Sequence, residues 1–234
     1  MLRIENLTKT YGDFKAVDNL SLHIQKGEIF GFIGHNGAGK TTTLKSVVGI
    51  IKPEEGEIYV DGKSIKTEPL KCKQEIAYIP DNPDLYEYMT GIQYLNFVAD
   101  IFGVSADERD IKIHELADKF EITASLGELI SAYSHGMKQK LAIISAFIHK
   151  PNLIILDEPF VGLDPKAAYQ VKEMMRDFCD NGGAIFFSTH VLEVAEKLCD
   201  KIAIIKKGQL IKAGTMEEVK GDDSLESVFL ELEE

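Results

Sequence analysis

The residues best suited to chemistry form a glycine-rich run between a predicted strand and a predicted helix. The run matches the phosphate-binding loop pattern at every specified position; its residues are Gly34-His35-Asn36-Gly37-Ala38-Gly39-Lys40-Thr41. Glycines let backbone N–H groups approach phosphate oxygens, and the N-terminus of the following helix adds its positive dipole. We expect Lys40 to hold the β- and γ-phosphates of a nucleotide and the Thr41 hydroxyl to bind Mg²⁺.

Two carboxylates follow an apolar strand later in the chain. Residues 153–156 are all apolar, and Asp157 and Glu158 come directly after them. This is a Walker B pattern, in which we expect Asp157 to stabilise the Mg²⁺ shell and Glu158 to polarise the water that attacks the γ-phosphate. An Asp-Glu pair after a strand is by itself more often an ordinary polar pair on the surface where the strand ends. The catalytic interpretation therefore depends on the phosphate-binding loop as well.

Four further segments resemble motifs of the ABC ATPases. Residues 133–139, with the sequence Tyr-Ser-His-Gly-Met-Lys-Gln, precede a predicted helix and resemble the family's signature motif. Asp164 lies in a segment similar to the D-loop, His190 resembles the switch histidine, and Tyr11, 29 residues before the loop lysine, resembles the A-loop aromatic. Taken singly, these residues could be a packing aromatic and helix caps. Their joint occurrence, in family order and spacing over nearly all the chain, favours the resemblance.

The resemblance implies a division of labour between two subunits packed head to tail. Ser134 and Gly136 of one subunit would cover the γ-phosphate held by Lys40 of the other, with a helix N-terminus directed at that phosphate. Tyr11 would stack on adenine, and Asp164 would communicate across the dimer.

The resemblance also implies a full set of site residues, with ATP and Mg²⁺ as the ligands. The residues expected to be catalytic are Lys40, Glu158 and His190. The residues expected to bind the metal are Thr41, Asp157 and Asp81. The residues expected to contact the nucleotide are Tyr11, Gly34, His35, Asn36, Gly37, Ala38, Gly39, Lys40, Thr41, Thr42, Ser134, Gly136 and Asp164.

The chain departs from the family pattern at two places. The commonest signature has Leu, Gly and Gln where this chain has Tyr133, His135 and Met137, although Ser134 and Gly136 keep the expected phosphate contacts. Asp81 stands where the family usually has the Q-loop glutamine. Since aspartate is shorter and anionic, it would either reach the metal through water or act mainly as a hinge.

The elements that must position these residues alternate between strand and helix. Strands are predicted at residues 20–24, 28–33, 57–60, 76–79, 153–156, 184–187 and 202–205. Helices are predicted at residues 41–50, 91–102, 106–120, 136–148, 166–179 and 191–198. Short apolar strands alternating with helices predict a parallel sheet buried on both faces.

The predicted fold class is therefore α/β, a P-loop NTPase core with a mostly parallel sheet. The ABC resemblance adds an N-terminal antiparallel β subdomain and an inserted α-helical subdomain. We expect one nucleotide-binding domain over residues 1–234. Its expected parts are a core of residues 1–80 and 149–215, a helical insertion of residues 81–148 and a C-terminal helical tail of residues 216–234.

Composition and charge argue against several classes of protein. The net charge of −12 is concentrated in residues 217–234, with eight acids and one lysine, and residues 104–131, with seven acids and three bases. The rest is nearly neutral, so we expect no nucleic-acid partner. The longest nearly apolar stretch, residues 141–148, is far short of the roughly 20 residues that span a bilayer, so we expect no membrane insertion.

The location follows from the chain's start and its cysteines. No apolar run with a cleavage site follows Met1, so a secretory signal is not expected. Cys72, Cys179 and Cys199 lack the paired spacing of a zinc or redox site and are interpreted as reduced packing thiols. We expect a cytoplasmic protein, peripheral on the cytoplasmic face of the cell membrane.

The function expected from these patterns is ATP hydrolysis by one subunit of a pair, most simply a homodimer, beneath a separately encoded permease. Residues 83–90 and 224–232 are similar to ATPase subunits of bacterial exporters, including the Ecs type, which favours export. A non-transport ABC ATPase of translation or DNA repair is the alternative, although Lys40 and Ser134 are only 94 positions apart, too few for the long coiled coil of repair proteins. A P-loop kinase is a more distant one.

Overall fold

The protein, described by a computed structural model over residues 1–232, contains two β-sheets. Residues 233 and 234, the end of the predicted tail, lie outside the described residues. The strands in chain order are β1 (Leu2–Tyr11), β2 (Phe14–Ile24), β3 (Ile29–Ile33), β4 (Glu55–Val60), β5 (Lys63–Ser64), β6 (Ile76–Ile79), β7 (Leu153–Asp157), β8 (Ala184–Thr189), β9 (Lys201–Lys206) and β10 (Gln209–Thr215).

The helices connect these strands and extend the chain beyond them. In chain order they are α1 (Lys40–Val47), α2 (Pro69–Gln74), α3 (Gly91–Ile101), α4 (Ala106–Lys119), α5 (His135–Ile148), α6 (Pro165–Asp180), α7 (Leu192–Leu198), α8 (Met216–Lys220) and α9 (Leu225–Glu231). Three of them, α3, α4 and α5, follow one another between β6 and β7, where the sequence predicts a helical insertion.

The two sheets differ in strand direction. The four-stranded sheet has the order β2-β1-β4-β5 and is antiparallel throughout. The six-stranded sheet has the order β10-β9-β3-β8-β7-β6 and is parallel except for the β9–β10 pair. This arrangement confirms the predicted α/β fold class with a mostly parallel sheet and an N-terminal antiparallel β region.

The six-stranded sheet is covered on both faces. Every residue of β3, β7 and β8 is buried. Along β8, Phe187 packs in a cluster with residues of α3, α4 and α5, whereas Phe186 packs in a second cluster with residues of the antiparallel sheet. The continuous apolar runs in the sequence therefore reflect strands that pack in both directions.

Three strands, β1, β10 and the two-residue β5, are not among those predicted from the sequence, and the first two escape for physical reasons. Strand β1 contains Asn6 in a left-handed conformation, and its register with β2 shifts between Ile4 and Leu7, so the apolar residues do not alternate. Strand β10 lies at the edge of its sheet and is mostly exposed, so it carries no apolar pattern. Cys72, Cys179 and Cys199 are unpaired and buried, as predicted for packing thiols.

The division of the domain into parts stays a prediction. The core of residues 1–80 and 149–215, the insertion of residues 81–148 and the tail of residues 216–234 are boundaries drawn on the sequence. Within the described part of that tail, the chain forms α8 and α9.

Burial of β7 predicts a large loss of stability when one of its side chains is truncated. Ile155 is fully buried two residues before Asp157, so Ile155→Ala should lower the free energy of unfolding by about 2–5 kcal/mol. Ile111→Ala removes the same atoms from an exposed site on α4 and should change it by no more than about 0.5 kcal/mol. Urea unfolding measures both, and equal losses would contradict this description of the core.

Candidate functional site

The glycine-rich loop joins the end of β3 to the start of α1 in a space that admits no side chain at two positions. Gly39 has φ +108°, and a Cβ built on it would lie 2.3 Å from the Ala16 carbonyl oxygen. A Cβ on Gly34 would lie 2.5 Å from the Ile205 carbonyl oxygen. The loop therefore lies directly against two neighbouring backbones, and the first N–H groups of α1 have no acceptor within the helix.

Lys40 is the cation at the centre of this loop. Its side chain is 6% exposed, and Nζ donates to the carbonyl oxygens of Gly34 at 2.5 Å and His35 at 3.2 Å. Nζ also lies 3.7 Å from Glu158 Oε1. Burial lowers the pKa of Lys40, although the nearby carboxylates act in the opposite direction. Phosphate oxygens are stronger partners for an ammonium than neutral carbonyls, so this environment fits an anion.

A second set of contacts connects the loop to the end of β7. Thr41 Oγ1 donates to Asp157 Oδ2 at 2.7 Å, and Ser188 Oγ donates to Asp157 Oδ1. Asp157 and Ser188 are both buried. Hydroxyl and carboxylate oxygens of this kind suit a hard divalent cation such as Mg²⁺, which is usually bound by few protein groups together with substrate phosphates.

Glu158 is held in an unusual backbone conformation. Its φ is +49°, in the left-handed region, and its N–H lies 3.2 Å from both the carbonyl oxygen and Oγ of Ser188. Its side chain is only 12% exposed, and Oε1 lies 2.9 Å from His190 Nδ1 as well as near Lys40. The turn after Asp157 thus places a carboxylate between a histidine and the loop lysine, an arrangement able to accept a proton from water.

Four of these residues, Lys40, Thr41, Asp157 and Glu158, line one cleft of about 300 Å³. His190 lines a separate cavity of about 220 Å³, which shares Glu158 with the cleft. The walls of the cleft include Asp81 and the exposed ring of Tyr11, over which Lys9 Nζ lies 5.2 Å from the ring centroid. The other lining residues are Phe14, Ala16, His35, Asn36, Gly37, Gly39, Lys40, Thr41, Thr42, Asp157 and Glu158. Ala38 lines a smaller cavity of about 180 Å³ on another side of the loop, and Gly34 contacts Lys40 without lining the cleft.

Ser134, Gly136 and Asp164 are not among the residues that line this cleft. Ser134 caps α5 by accepting from the Met137 N–H at 3.3 Å, and a Cβ on Gly136 would lie 2.7 Å from the Gly162 carbonyl oxygen. Asp164 caps α6 and pairs with Lys140 Nζ at 3.0 Å. The helix starts predicted to contact ATP are therefore formed, but on a separate part of the chain's surface.

The unusual signature residues have structural contacts of their own. The Tyr133 hydroxyl donates to the Ser125 carbonyl oxygen at 2.6 Å and lies where a Cβ on Gly91 would stand, while the His135 ring packs closely on Gly162. Tyr133 and His135 are thus held by contacts within the chain, and Ser134 stays exposed before the start of α5.

Comparison with known proteins decides the family. The ABC transporter family model matches residues 17–161, more than half of the chain. The chain belongs to the ABC transporter family. The ABC-type transporter ATP-binding protein EcsA of Bacillus subtilis is 34% identical over 237 residues, which cover 99% of this chain and 96% of EcsA.

Solved structures of ABC ATPases share the whole fold. An ATP-binding subunit of an ABC transporter matches with a TM-score of 0.96 and 33% identity, covering 100% of both chains. The dimeric post-hydrolysis state of the ATP-binding cassette MJ0796, bound to ADP and Pi, matches with a TM-score of 0.85 and 25% identity, covering 92% of this chain and 99% of that one. As a member of this family, the chain is an ATPase. Among its helices within residues 1–232, none combines the length and apolar character needed to cross a membrane.

Three residues in or beside the cleft belong to none of the sequence motifs. Phe14 and Ala16 line the cleft from β2, and Ser188 contacts both Asp157 and Glu158. The available signal for Ser188 was its place at the end of an apolar strand, two residues before His190. Nothing in the local pattern distinguishes Phe14 or Ala16 from ordinary strand residues.

Loss of the Ser188 hydroxyl should weaken metal use by the ABC ATPase. Ser188→Ala removes a donor to Asp157 and an acceptor for the Glu158 N–H, so we expect the Mg²⁺ concentration for half-maximal ATPase activity to rise roughly 10- to 100-fold. Mg²⁺ titrations at fixed ATP measure this change. Ser131→Ala, at an exposed serine, is the matched control. An unchanged Mg²⁺ dependence in the Ser188 variant would contradict the view that Ser188 orients Asp157 for metal binding.

Proposed function

We propose that the chain is the ATP-binding and ATP-hydrolysing subunit of an ABC transporter, which dimerises around MgATP and drives a separate membrane permease. The observation that carries this proposal is the convergence of Lys40, the Thr41–Asp157 pair and Glu158 on one cleft, with His190 hydrogen-bonded to Glu158 from beside it. Membership of the ABC transporter family and the likeness to EcsA support the transport role.

Nucleotide binding would use the loop and the aromatic at the mouth of the cleft. Lys40 Nζ would exchange its two carbonyl partners for β- and γ-phosphate oxygens, and the N–H groups at the start of α1 would donate to the same anion. Tyr11, with nearly half of its surface exposed, offers a ring face on which adenine can stack.

Thr41 and Asp157 are the residues that we propose to hold Mg²⁺. Bound there, the ion would neutralise phosphate charge and orient the phosphates. Asp81 lies in the same cleft wall and contributes to the electrostatic environment of Lys40, which fits an indirect role at the metal or a hinge. Ser188 keeps Asp157 in one orientation through its hydrogen bond.

Glu158 and His190 are proposed to activate the attacking water. As the water oxygen bonds to the γ-phosphorus, the bond from that phosphorus to the β–γ bridging oxygen breaks, and ADP and phosphate result. Glu158 would accept the proton that the water loses, and His190, bonded to Glu158 Oε1, would orient the carboxylate and contact the γ-phosphate.

A second copy would complete the site. Ser134 and Gly136 lie at the start of α5 away from the cleft of their own chain, so a head-to-tail partner is the natural source of these groups over the γ-phosphate. Asp164 caps α6 and is ion-paired with Lys140 of α5, which links the proposed D-loop to the signature helix. The likeness to a dimeric ABC cassette supports this assembly.

An exposed aromatic group provides a docking surface for the permease. The rings of Tyr86 and Tyr88 lie 5.8 Å apart, and Phe97 contacts Tyr86 edge to face at 5.6 Å. These rings are partly exposed, as expected of a protein interface. Glu87 pairs with Lys138 in the first turn of α5, so this surface is connected to the Ser134 helix.

We place the complex on the cytoplasmic face of the membrane and propose export as its direction.

Glu158→Gln tests the proposed mechanism. The amide keeps the shape of the side chain but cannot accept the proton from water, so we expect turnover to fall at least about 100-fold and an ATP-dependent dimer to accumulate. ATPase assays and light scattering after gel filtration measure the two effects. Glu193→Gln, at an exposed glutamate on α7, is the control. Normal turnover, or a monomer at saturating ATP, would rule the mechanism out.

The permease surface has its own test. Replacing Tyr86 and Tyr88 by alanine should abolish recovery of the chain with an affinity-tagged permease encoded beside it, because the exposed rings supply the contact area. Tyr169→Ala, at an exposed tyrosine on α6, should be recovered normally. ATP affinity is measured alongside to establish that the cleft is intact. Equal recovery of both variants, or co-purification with ribosomes in place of the permease, would refute the proposal.

A further inference from the structure

The C-terminal helix α9 packs against the phosphate-binding loop. Leu225, Val228 and Phe229 are its buried residues, and Phe229 is only 6% exposed. The Phe229 ring meets the His35 imidazole edge to face, with centroids 5.0 Å apart and an angle of 64° between the rings. Such edge-to-face geometry is favourable because the positive rim of one ring faces the negative face of the other.

The chain after α9 is attached to the strand that supports the loop. Lys206 Nζ, at the end of β9, donates to the Leu232 carbonyl oxygen at 2.9 Å. The preceding residue, Ile205, provides the carbonyl oxygen against which Gly34 packs. Helix α9 therefore contacts the loop through the Phe229 side chain. Leu232, which follows the helix, is hydrogen-bonded to Lys206, next to the Ile205 backbone that Gly34 contacts.

His35 connects Phe229 to Lys40, because it contacts both residues. The residue lines both the 300 Å³ cleft and the 180 Å³ cavity, so it forms part of the wall between them. Its carbonyl oxygen accepts from Lys40 Nζ at 3.2 Å. A displacement of His35 would therefore move one of the groups that hold the ammonium in place.

Helix α9 also packs on α7, which begins two residues after His190. The helix thus bridges the loop that holds Lys40 and the segment that carries the histidine bonded to Glu158. None of the motifs in the sequence indicates such a role for the tail, because its pattern is that of a short amphipathic helix.

We propose that Phe229 is a positioning residue for nucleotide binding: it holds His35, and through it the phosphate-binding loop, in the conformation that receives the phosphates. The inference rests on the proposed ATP site. Part of the nucleotide affinity is then supplied by the last turns of the described chain, far outside the binding motifs. Loss of the ring leaves the loop more mobile, so binding requires additional ordering.

The test is a double-mutant cycle on the full-length chain, with the dissociation constant for a fluorescent ATP analogue and the KM and kcat for ATP as readouts. Phe229→Ala should raise the dissociation constant and KM roughly 2- to 12-fold, the range that corresponds to one aromatic pair, and change kcat less. His35→Ala should have a similar effect. In the His35→Ala background, Phe229→Ala should add nothing, because the two residues act through one contact.

Two controls separate positioning from general destabilisation. Val228→Ala truncates a buried neighbour on the same helix, and Leu230→Ala an exposed one; both should keep the wild-type KM even where the melting temperature falls. Phe229→Tyr, which keeps the ring, should bind the ATP analogue with an affinity close to that of the wild-type chain.

Each remaining outcome decides the inference. Equal KM increases in Val228→Ala and Phe229→Ala, or additive effects of the His35 and Phe229 substitutions, would overturn the positioning role. So would wild-type affinity in Phe229→Ala. A wild-type chain that fails to bind the ATP analogue would instead contradict the proposed ATP site, so the two failures are distinguishable.

Discussion

The site depends on one constraint, the parallel alignment of β3, β8 and β7. The register pairs Ile33 with Thr189 and Asp157 with Ser188, so all three strands end at the same edge of the sheet. This edge therefore brings together the loop after β3, the carboxylates at the end of β7 and the segment after β8. Ligands of parallel α/β sheets bind beyond this edge, at the carboxyl ends of the strands. The buried sheet thus fixes the relative positions of the groups that are proposed to react.

The sequence could predict the fold class, and it indicates the residues proposed for the centre of the site, because both leave local patterns. Strands β3, β7 and β8 are apolar runs, and Lys40, Thr41, Asp157 and Glu158 occur at fixed positions after such runs. Strand β10 is exposed at a sheet edge and leaves no such pattern. The contact between His35 and Phe229 joins residues 194 positions apart, so only the folded chain reveals it.

Two helix-capping residues, Ser134 and Asp164, are also proposed interface residues. Ser134 and Asp164 each accept a hydrogen bond from the N–H three residues on, which stabilises α5 and α6 in the isolated chain. The proposed dimer would use the same two helix starts at its interface. The Ser134 hydroxyl is small and neutral, so it can cap α5 and also face a phosphate in the proposed dimer, whereas the anionic Asp164 carboxylate is ion-paired with Lys140.

The left-handed backbone at Glu158 has a consequence for how this chain can change. A residue with a Cβ adopts that conformation at a cost of about 1–2 kcal/mol, whereas glycine adopts it freely. A glycine at position 158 would therefore lower the backbone strain of the folded chain, but it would also remove the carboxylate. The proposed role as proton acceptor needs that carboxylate, so backbone strain and the proposed chemistry place opposite requirements on this position.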